Sequence, residues 1–220
     1  MSKVVIYGNG PVAKAAFHAI TFDSPHEVAG FTVDRSFIQE DELFGLPVVP
    51  FEEVHSIFSP DRFLMWVAVG YVGVNRVRAE RFQHARDCGY RMFTYVSQKA
   101  TVGPDVQIGA NCSIGVGCVI SPSVRIGDNV TISAKSFIGP EAVIQDHCFL
   151  ANRVTVAGGA VIEPYCFLGL NSTIKNGVRV ASGCVIGAGA LILQDTRAKE
   201  VYLGKPADLL SISSDDLPLR

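Results

Sequence analysis

Hydrophobic residues recur every six positions through the second half of the chain. One position holds Val, Ile or Leu in sixteen consecutive repeats, from Val102 to Ile192. The position two residues earlier is small or Val in each repeat, from Ala100 to Ala190. Because alternate residues of a strand face the same side, each repeat predicts a short strand that buries two side chains.

The residues between these strands are mostly glycine or polar, and they predict a corner after each strand. Glycine directly follows the aliphatic residue at Gly103, Gly109, Gly115, Gly127, Gly139, Gly169 and Gly187. Three strands and three corners close a triangular coil, and stacked coils bury a column of aliphatic side chains. The repeats therefore predict a parallel β-helix of about five coils, roughly 25 Å long at ~4.8 Å per layer.

The cysteines fit this repeat. Five of the six lie at its small inward position: Cys112, Cys118, Cys148, Cys166 and Cys184. The sixth is Cys88, and no two cysteines form a CxxC pair, which argues against a zinc ribbon. We therefore expect the five cysteines to be core side chains that form no disulfides.

The first 97 residues show a different pattern, in which apolar runs alternate with helical stretches. Helices are predicted at 11–20 and 74–88, and strands at Lys3–Tyr7, Glu27–Val33, 62–69 and 91–96. This alternation predicts a small α/β domain.

A glycine-rich turn follows the first strand. Residues 8–13 (GNGPVA) fit the pattern G-x-G-x-x-A, and Asp34 ends the next strand. Such glycines let the backbone approach a phosphate at a helix N-terminus, and the acid can hold a ribose or sugar hydroxyl. The alternative is a tight turn with an ordinary surface Asp. The domain supplies only about half of a dinucleotide fold, which disfavours an oxidoreductase.

Composition and charge disfavour several functional classes. Hydrophobic residues make up 48% and charged residues 18% of the 220 positions, and the net charge is -2. Such a chain offers no basic field for nucleic acid. No stretch approaches the ~20 apolar residues of a membrane span, and the N-terminal residues lack a signal-peptide pattern. We expect a cytoplasmic protein without nucleic-acid or membrane partners.

The combination of these features resembles the hexapeptide-repeat sugar acyltransferases of the sialic-acid O-acetyltransferase (NeuD/PglD) type. The resemblance extends over nearly the whole chain. It rests on the glycine turn, on Ala68-Val69-Gly70 with a downstream Arg, on the repeats, and on residues 167–172 (FLGLNS) and 204–207 (GKPA).

This resemblance implies an α/β N-terminal half-Rossmann domain (1–97), a left-handed parallel β-helix (98–194) and a C-terminal tail (195–220). It implies a homotrimer that moves an acyl group from acyl-CoA to the amino group of a UDP- or dTDP-linked amino sugar, without a metal. Acyl-CoA is expected in the groove between neighbouring subunits. The implied pathway is dideoxyaminosugar synthesis for lipopolysaccharide O-antigen.

The resemblance also assigns binding residues. It implies nucleotide-sugar contacts at Gly8, Gly10, Pro11, Asp34, Arg35 and Gly70. It implies acyl-CoA contacts at Gly169, Asn171, Ala181, Gly187, Lys205 and Pro206.

The chain departs from this family at the catalytic base. An amine must be neutral to attack a thioester, and the family places a His, followed by Glu, two residues after one inward aliphatic residue. The matching pair here is Pro140-Glu141, after Ile138. Proline cannot accept a proton, so the usual base is missing.

Three interpretations remain open. In the first, the neutral amine attacks directly and the leaving thiolate takes the proton, as is thought for related enzymes with larger acyl groups. In the second, Glu141 or His147 is the base, although an isolated His is also typical of a surface. In the third, the chain is an inactive scaffold. Asn152 and Asn171, at one corner on adjacent coils, are candidates to bind the acyl oxygen or the sugar, or are turn residues that tolerate a left-handed backbone.

Other functions are also weighed. Sugar O-acetyl transfer and a non-catalytic nucleotide- or CoA-binding trimer remain alternatives. A zinc carbonic anhydrase, another use of such a helix, needs three histidines around its metal. That function is disfavoured, because the remaining histidines lie in the first domain without a shared spacing: His18, His26, His55 and His84.

Overall fold

The computed structural model describes residues 2–208 and 211. Its N-terminal domain contains β1 (Lys3–Tyr7), α1 (Pro11–Asp23), β2 (Glu27–Val33), β3 (Glu42–Leu43), β4 (Leu46–Pro50), α2 (Val54–Ile57), β5 (Leu64–Val67), α3 (Arg76–Asp87) and β6 (Arg91–Met92). Short 3-10 turns occupy Arg35–Phe37 and Phe51–Glu53.

The second domain consists of two-residue strands joined by short turns. They are β7 (Tyr95–Val96), β8 (Thr101–Val102), β9 (Gln107–Ile108), β10 (Ser113–Ile114), β11 (Val119–Ile120), β12 (Arg125–Ile126), β13 (Thr131–Ile132), β14 (Phe137–Ile138), β15 (Val143–Ile144), β16 (Phe149–Leu150), β17 (Thr155–Val156), β18 (Val161–Ile162), β19 (Phe167–Leu168), β20 (Thr173–Ile174), β21 (Arg179–Val180), β22 (Val185–Ile186), β23 (Leu191–Ile192) and β24 (Val201–Tyr202).

The N-terminal sheet has the strand order β3-β4-β2-β1-β5-β6. The pair β3–β4 is antiparallel, and the other pairs are parallel. One side of the sheet packs on α1 through Ala13, Ala16 and Ile20. The other packs on α2 and α3 through Val54 and Ala85. Helices on both sides explain why the central strands are apolar throughout, and the arrangement confirms the predicted α/β domain.

Several element bounds differ from the prediction. The strand predicted at 62–69 is limited to Leu64–Val67, and the helix predicted at 74–88 to Arg76–Asp87. The strand predicted at 91–96 is split between two sheets, because Met92 pairs with Met65 whereas Tyr95 pairs with Ser113. The hairpin β3–β4 and the short α2 were not predicted.

The short strands stack into three parallel faces of the second domain. Face A has seven strands: β7, β10, β13, β16, β19, β22 and β24. Face B has six strands: β8, β11, β14, β17, β20 and β23. Face C has five strands: β9, β12, β15, β18 and β21. Each coil spans 18 residues, so that Ser113 pairs with Thr131. The result is the left-handed parallel β-helix that the repeat and the family resemblance predicted.

The stacked strands extend beyond the predicted range 98–194 at both ends. Tyr95–Val96 pairs with Ser113–Ile114, and Val201–Tyr202 pairs with Val185–Ile186. Val96 continues the six-residue spacing by one repeat before Val102, whereas the last strand resumes after residues that interrupt the pattern. The predicted tail 195–220 therefore contributes a strand, and its residues 209, 210 and 212–220 lie outside the described part.

The core of the β-helix is a stack of like side chains. Ile114, Ile132, Leu150, Leu168 and Ile186 lie in register on face A and are fully buried. The five cysteines of the repeat are also fully buried in this core, as free thiols. Their prediction as core side chains is confirmed.

The corners of the coils share one backbone geometry. We name them A–B, B–C and C–A after the faces they join, as in residues 115–118, 139–142 and 145–148. The third corner residue has a positive φ, as at Glu141 (φ 60) and His147 (φ 62). The N–H of the second corner residue makes no backbone hydrogen bond, and Pro104, Pro122, Pro140 and Pro164 occupy this position. Proline at position 140 thus costs no coil hydrogen bond.

The N-terminal domain packs on face A through β5, α3 and the loop between them. The ring of Tyr71 packs on Phe149 and Phe167, with centroids 5.1 and 4.7 Å away. Among the described residues, none of the helices has the length and apolarity to cross a membrane.

Candidate functional site

A cleft of about 690 Å³ lies between α1, the end of β5 and the β-helix. From the N-terminal domain, Pro11, Val12 and residues 66–69 line it. From the β-helix, it is lined by Phe149 of face A and by Ser133 and Ala134 of the A–B corner. The cleft therefore joins the glycine turn of one domain to a corner of the other.

Most of the cleft lining is apolar. Its charged side chains include Lys99 and Asp23. The carboxylate of Asp23 accepts hydrogen bonds from Ser97 and Tyr95, both at 2.6 Å, and these bonds lower the pKa of Asp23. Asp23 is therefore already engaged within the fold, whereas Lys99 can attract a negative charge. The cleft thus suits a ligand with an anionic part and an apolar part.

The β1–α1 turn brings a helix N-terminus to this cleft. Gly8 has a φ of 128, and a Cβ there would lie 2.9 Å from the carbonyl oxygen of Ala68, so the fold itself requires this glycine. Gly10 is the N-cap of α1 without a side-chain cap, and a Cβ there would meet nothing within 4 Å. Pro11 opens the helix. The first-turn N–H groups are left for an anion such as a phosphate.

Asp34 and Arg35 lie outside the cleft lining and have protein partners. Asp34 accepts a hydrogen bond from the Tyr7 hydroxyl at 2.5 Å and pairs with Arg81 at 2.6 Å. Arg35 pairs with Glu53. Burial, together with the bond to Asp34, raises the pKa of Tyr7 far above its ordinary value. Both acceptor oxygens of Asp34 are therefore engaged within the fold.

Gly70 lies in the loop after β5. A Cβ on Gly70 would lie 3.8 Å from the side chain of Val12. Gly70 therefore lies beside the start of α1. Of the predicted nucleotide-sugar residues, the structure brings Gly8, Gly10, Pro11 and Gly70 together.

The three predicted catalytic residues occupy three different corners of the β-helix. Glu141 lies in the B–C corner, His147 in the C–A corner and Asn152 in the A–B corner. Glu141 and Asn152 are exposed, whereas His147 is half-buried. One chain therefore does not bring the three side chains to a single point.

A chain of amides fixes the protonation state of His147. The backbone N–H of Val67 donates to Asn111 Oδ1 at 2.8 Å, so Asn111 Nδ2 donates to Asn129 Oδ1 at 2.8 Å. Asn129 Nδ2 then donates to His147 Nδ1 at 2.9 Å. Since each amide has one orientation that satisfies both neighbours, Nδ1 is the acceptor and the neutral ring carries its proton on Nε2.

This geometry argues against His147 as the base. Its Nδ1 lone pair is engaged and its Nε2 carries hydrogen, so neither ring nitrogen is free to accept a proton. Burial lowers the pKa of His147 despite nearby Asp146. The ring packs between Phe82 of α3 and Tyr165, with centroids 5.8 and 4.8 Å away. The histidine is thus a component of the domain interface.

Asn152 and Asn171 lie on adjacent coils of the A–B corner, as predicted. The N–H of Asn171 donates to the carbonyl of Asn152 at 3.2 Å. Asn171 is the left-handed residue of its corner, with a φ of 56. In the adjacent coil, the left-handed residue of the A–B corner is Arg153 and not Asn152. A left-handed turn therefore explains Asn171, whereas it does not explain Asn152.

Most predicted CoA residues follow the same A–B corner. Gly169 and Gly187 belong to it, and close coil stacking accounts for Gly169, because a Cβ there would lie 2.8 Å from the N of Ala188. Lys205 and Pro206 are exposed beyond β24, and Lys205 pairs with Asp208 at 3.3 Å. Ala181 lies at the C–A corner instead. The predicted set is thus split between two corners of one chain.

The B–C corner carries a column of prolines that ends in a glycine. The second corner residue is Pro104, Pro122 and Pro140 in successive coils, then Gly158 and Asn176. Gly158 is the first of these with an N–H, and this N–H has no acceptor among the described residues. The column therefore offers a backbone donor one coil below Pro140.

Sequence reasoning missed two buried residues at the domain boundary, Asn75 and Arg78. The predicted helix 74–88 contains four arginines, Arg76, Arg78, Arg81 and Arg86, but nothing in their spacing singled out Arg78. In the part of the chain that the structure describes, no three His, Cys, Asp or Glu side chains gather into a possible metal site.

Two segments match known repeat families. Residues 105–140 match the family described as bacterial transferase hexapeptide (six repeats), and residues 159–194 match the hexapeptide repeat of succinyl-transferase. No curated protein sequence is significantly similar to the chain.

Several solved structures share the fold over almost the whole chain. A histidine-to-asparagine variant of perosamine N-acetyltransferase from Caulobacter crescentus, in complex with CoA and GDP-perosamine, has a TM-score of 0.84 at 23% identity, over 96% of this chain and 98% of that one. The acetyltransferase domain of PglB from Neisseria gonorrhoeae has a TM-score of 0.74 at 22% identity, over 96% and 100%. WeeI from Acinetobacter baumannii has a TM-score of 0.80 at 19% identity, over 96% of this chain and 100% of that one. These similarities confirm the α/β domain followed by a left-handed β-helix.

Proposed function

We propose that the protein is a CoA-dependent N-acyltransferase that moves an acyl group to the amino group of a nucleotide-linked amino sugar. The observation that carries this proposal is the cleft, into which the β1–α1 turn and the A–B corner both open. One domain can then hold the nucleotide while the other holds the acyl-CoA. The similar perosamine N-acetyltransferase was solved with CoA and GDP-perosamine.

The N-terminal domain supplies the nucleotide end of the site. Uncapped N–H groups of α1 favour the pyrophosphate, and Gly10 leaves room for its approach. The apolar cleft wall with Phe149 suits a sugar with few hydroxyls, which supports a dideoxyaminosugar. We keep UDP and dTDP as the expected nucleotides.

The A–B corner supplies the CoA end. It runs from Ser133 and Ala134 in the cleft, through Asn152 and Asn171, towards Lys205. Acyl-CoA along this corner would direct its thioester to the cleft and its nucleotide end to Lys205 and Pro206.

The chemistry needs no side-chain base. The neutral amine forms a C–N bond with the thioester carbonyl, the C–S bond breaks, and the departing thiolate takes the amine proton. The products are an amide and the free CoA thiol. Pro140 at the usual base position and the engaged nitrogens of His147 both support direct attack.

Negative charge that develops on the carbonyl oxygen needs a donor. The unpaired N–H of Gly158 fits this role, since preorganised backbone donors stabilise such an oxyanion. Glu141, exposed in the same corner, remains the alternative base.

A homotrimer is proposed from the outer surface of face B. Its outward side chains are all uncharged: Thr101, Val119, Phe137, Thr155, Thr173 and Leu191. Phe137 is 40% and Leu191 59% exposed. Such a surface is typical of a subunit interface. Face B lies between the A–B and B–C corners, so a neighbour packed there would bring its Gly158 close to the CoA corner.

The trimer is tested by light scattering after size-exclusion chromatography. We expect three times the 23.6-kDa chain mass, and a shift to a single chain for Phe137→Arg. A monomeric wild type would contradict the proposed intersubunit groove.

The cellular role follows from the proposed substrates. Nucleotide sugars and acyl-CoA are both cytoplasmic metabolites, so we place the reaction in the cytoplasm. Its acylated product would enter lipopolysaccharide O-antigen biosynthesis.

The function is tested with a panel of UDP-, dTDP- and GDP-linked amino sugars and acyl-CoAs of different length. We expect thiol release only when both substrates are present. A non-catalytic binding trimer would show thermal stabilisation by a nucleotide sugar or CoA, but no thiol release. That outcome across the panel would overturn the proposal.

A further inference from the structure

Asn75 and Arg78, at the start of α3, reach across the domain boundary. Their exposed fractions are 0% and 2%. Asn75 Nδ2 donates to the carbonyl of Cys166 at 3.0 Å. Arg78 donates to Thr131 Oγ1 at 2.8 Å and to the carbonyl of Cys148 at 3.1 Å. We call these two residues the latch.

Stability alone does not explain the latch. The described residues include no carboxylate partner for Arg78, and burial lowers its pKa to about 10. Arg78 Nε and Asn75 Oδ1 lack hydrogen-bond partners as well. A buried cation without a counter-charge is costly, and well-packed apolar residues stabilise an interface at least as well.

The latch adds bonds to carbonyls that the β-helix already uses. The carbonyl of Cys166 also accepts the N–H of Phe149, and that of Cys148 accepts the N–H of Thr131. The coil hydrogen bonds are therefore complete without the latch. Variants that lack it should still fold.

The loop that precedes α3 has an unfavourable backbone. Gly73, Val74 and Asn75 have φ values of 63, 53 and 68 in succession. A β-branched residue such as Val74 is rarely left-handed, because its side chain crowds the backbone. Such conformations persist where surrounding contacts impose them. Here Tyr71 anchors one end on Phe149, and Asn75 anchors the other.

We propose that Asn75 and Arg78 are positioning residues for the acyl transfer, an inference that rests on the proposed function. Gly70, at the start of the loop, lies beside Val12 at the nucleotide end of the cleft. Thr131 and Phe149, which the latch and Tyr71 contact, line the cleft from the β-helix. The latch thereby sets the distance between the amine held by one domain and the thioester held by the other. Misplacement by about 1 Å can cost roughly 100-fold in rate.

The test uses Arg78→Met and Asn75→Gly in the full chain. Glycine keeps the left-handed backbone and removes only the amide, and methionine keeps the apolar stem of Arg78. Arg86→Met is the matched control, because Arg86 lies on the same helix and bonds to Asp128 of the β-helix at the surface. We measure kcat, KM for the amino-sugar nucleotide and for acyl-CoA, and amide hydrogen exchange of residues 68–76.

We expect kcat/KM for the amino-sugar nucleotide to fall at least tenfold in both latch variants. KM for acyl-CoA should stay within about twofold, and exchange in 68–76 should accelerate. A purely structural role would lower the yield of folded protein and leave these constants unchanged. An unchanged kcat/KM in both latch variants would overturn the proposal, whether or not exchange in 68–76 accelerates. If wild type shows no transferase activity, the proposed function fails, and exchange in the apo protein still tests whether the latch holds the loop.

Discussion

The β-helix and the N-terminal domain differ in what determines their structure. In the β-helix, one six-residue pattern sets the strand, the corner and the buried side chain of each coil. In the N-terminal domain and at its boundary with the β-helix, the decisive contacts occur once each, such as Tyr7 with Asp34 or Val67 with Asn111. The proposed reaction needs both regions, because the repeat supplies a rigid frame and single contacts set the protonation states and distances on it.

The largest expected effect is on stability, and it tests which positions of the repeat face the core and which face outward. Ile144→Ala should lower the free energy of unfolding by about 2–5 kcal/mol, because the side chain is fully buried and leaves a cavity. Val143→Ala, one residue earlier on the outer surface, should cost less than about 1 kcal/mol. Urea denaturation measures both. Equal costs would contradict the assignment of inward and outward positions.

The sequence predicted the β-helix well because its information is repeated. A wrong inference at one coil would be corrected by the others, so the five cysteines and the inward positions followed directly. The strand at Val201 was missed because it follows residues that interrupt the pattern. The strand at Tyr95 was assigned to the N-terminal domain, although Val96 keeps the six-residue spacing.

The candidate site was less predictable because its contacts are singular. The 18-residue coil stacks Asn111, Asn129 and His147 in one column, but the repeat does not show that the N–H of Val67 orients these amides. Nor does any periodicity show that Arg81 engages Asp34. Gly8 was predicted as a nucleotide-sugar contact, but the structure shows that the fold itself requires a glycine there, because a Cβ would lie 2.9 Å from the carbonyl oxygen of Ala68.

The second prediction tests whether the N–H of Gly158, in the B–C corner, contributes to catalysis without being needed for the fold. Gly158→Pro removes the proposed oxyanion donor at a position where the three coils above carry proline, so the fold should tolerate it. We expect kcat to fall by about 10²–10³, as for other oxyanion donors. Asn176→Pro, one coil below, is the matched control and should leave kcat unchanged. Equal kcat in both variants would remove Gly158 from the mechanism.

The third prediction concerns the single contacts of the N-terminal domain. Asp34→Asn weakens the bonds to Tyr7 and Arg81, so the free energy of unfolding should fall by about 1–2 kcal/mol. The exposed pair of Arg35 is the comparison, and Arg35→Gln should change stability by less than about 0.5 kcal/mol. Thermal unfolding with and without nucleotide sugar measures both. If Asp34→Asn keeps its stability but loses ligand stabilisation, Asp34 is instead a substrate contact.

The smallest expected effect is the pH dependence that His147 contributes. Its folded-state pKa lies below the ordinary value of 6.5, so the unfolded state binds the proton more readily, and stability should fall as the pH drops below 6.5. His147→Asn can still accept the hydrogen bond of Asn129 and tolerates the left-handed backbone, but it does not titrate. Chemical denaturation between pH 5 and pH 7 should show a smaller pH dependence for this variant.

The same variant tests the mechanism. We expect His147→Asn to retain kcat within about threefold, since neither ring nitrogen is free to act as base. A loss of more than tenfold, about 1.4 kcal/mol of barrier, would restore His147 as a catalytic candidate.

The most direct test of the central claim is the mass of the sugar product. The full-length protein is incubated with acyl-CoA and either an amino-sugar nucleotide or its hydroxyl analogue, and the nucleotide sugars are analysed by intact mass. We predict that the amino sugar gains one acyl group and loses one hydrogen, with an equal amount of free CoA thiol, while the hydroxyl analogue is unchanged. Acylation of the hydroxyl analogue alone, or of neither compound across the panel, would contradict N-acyl transfer as the function of this protein.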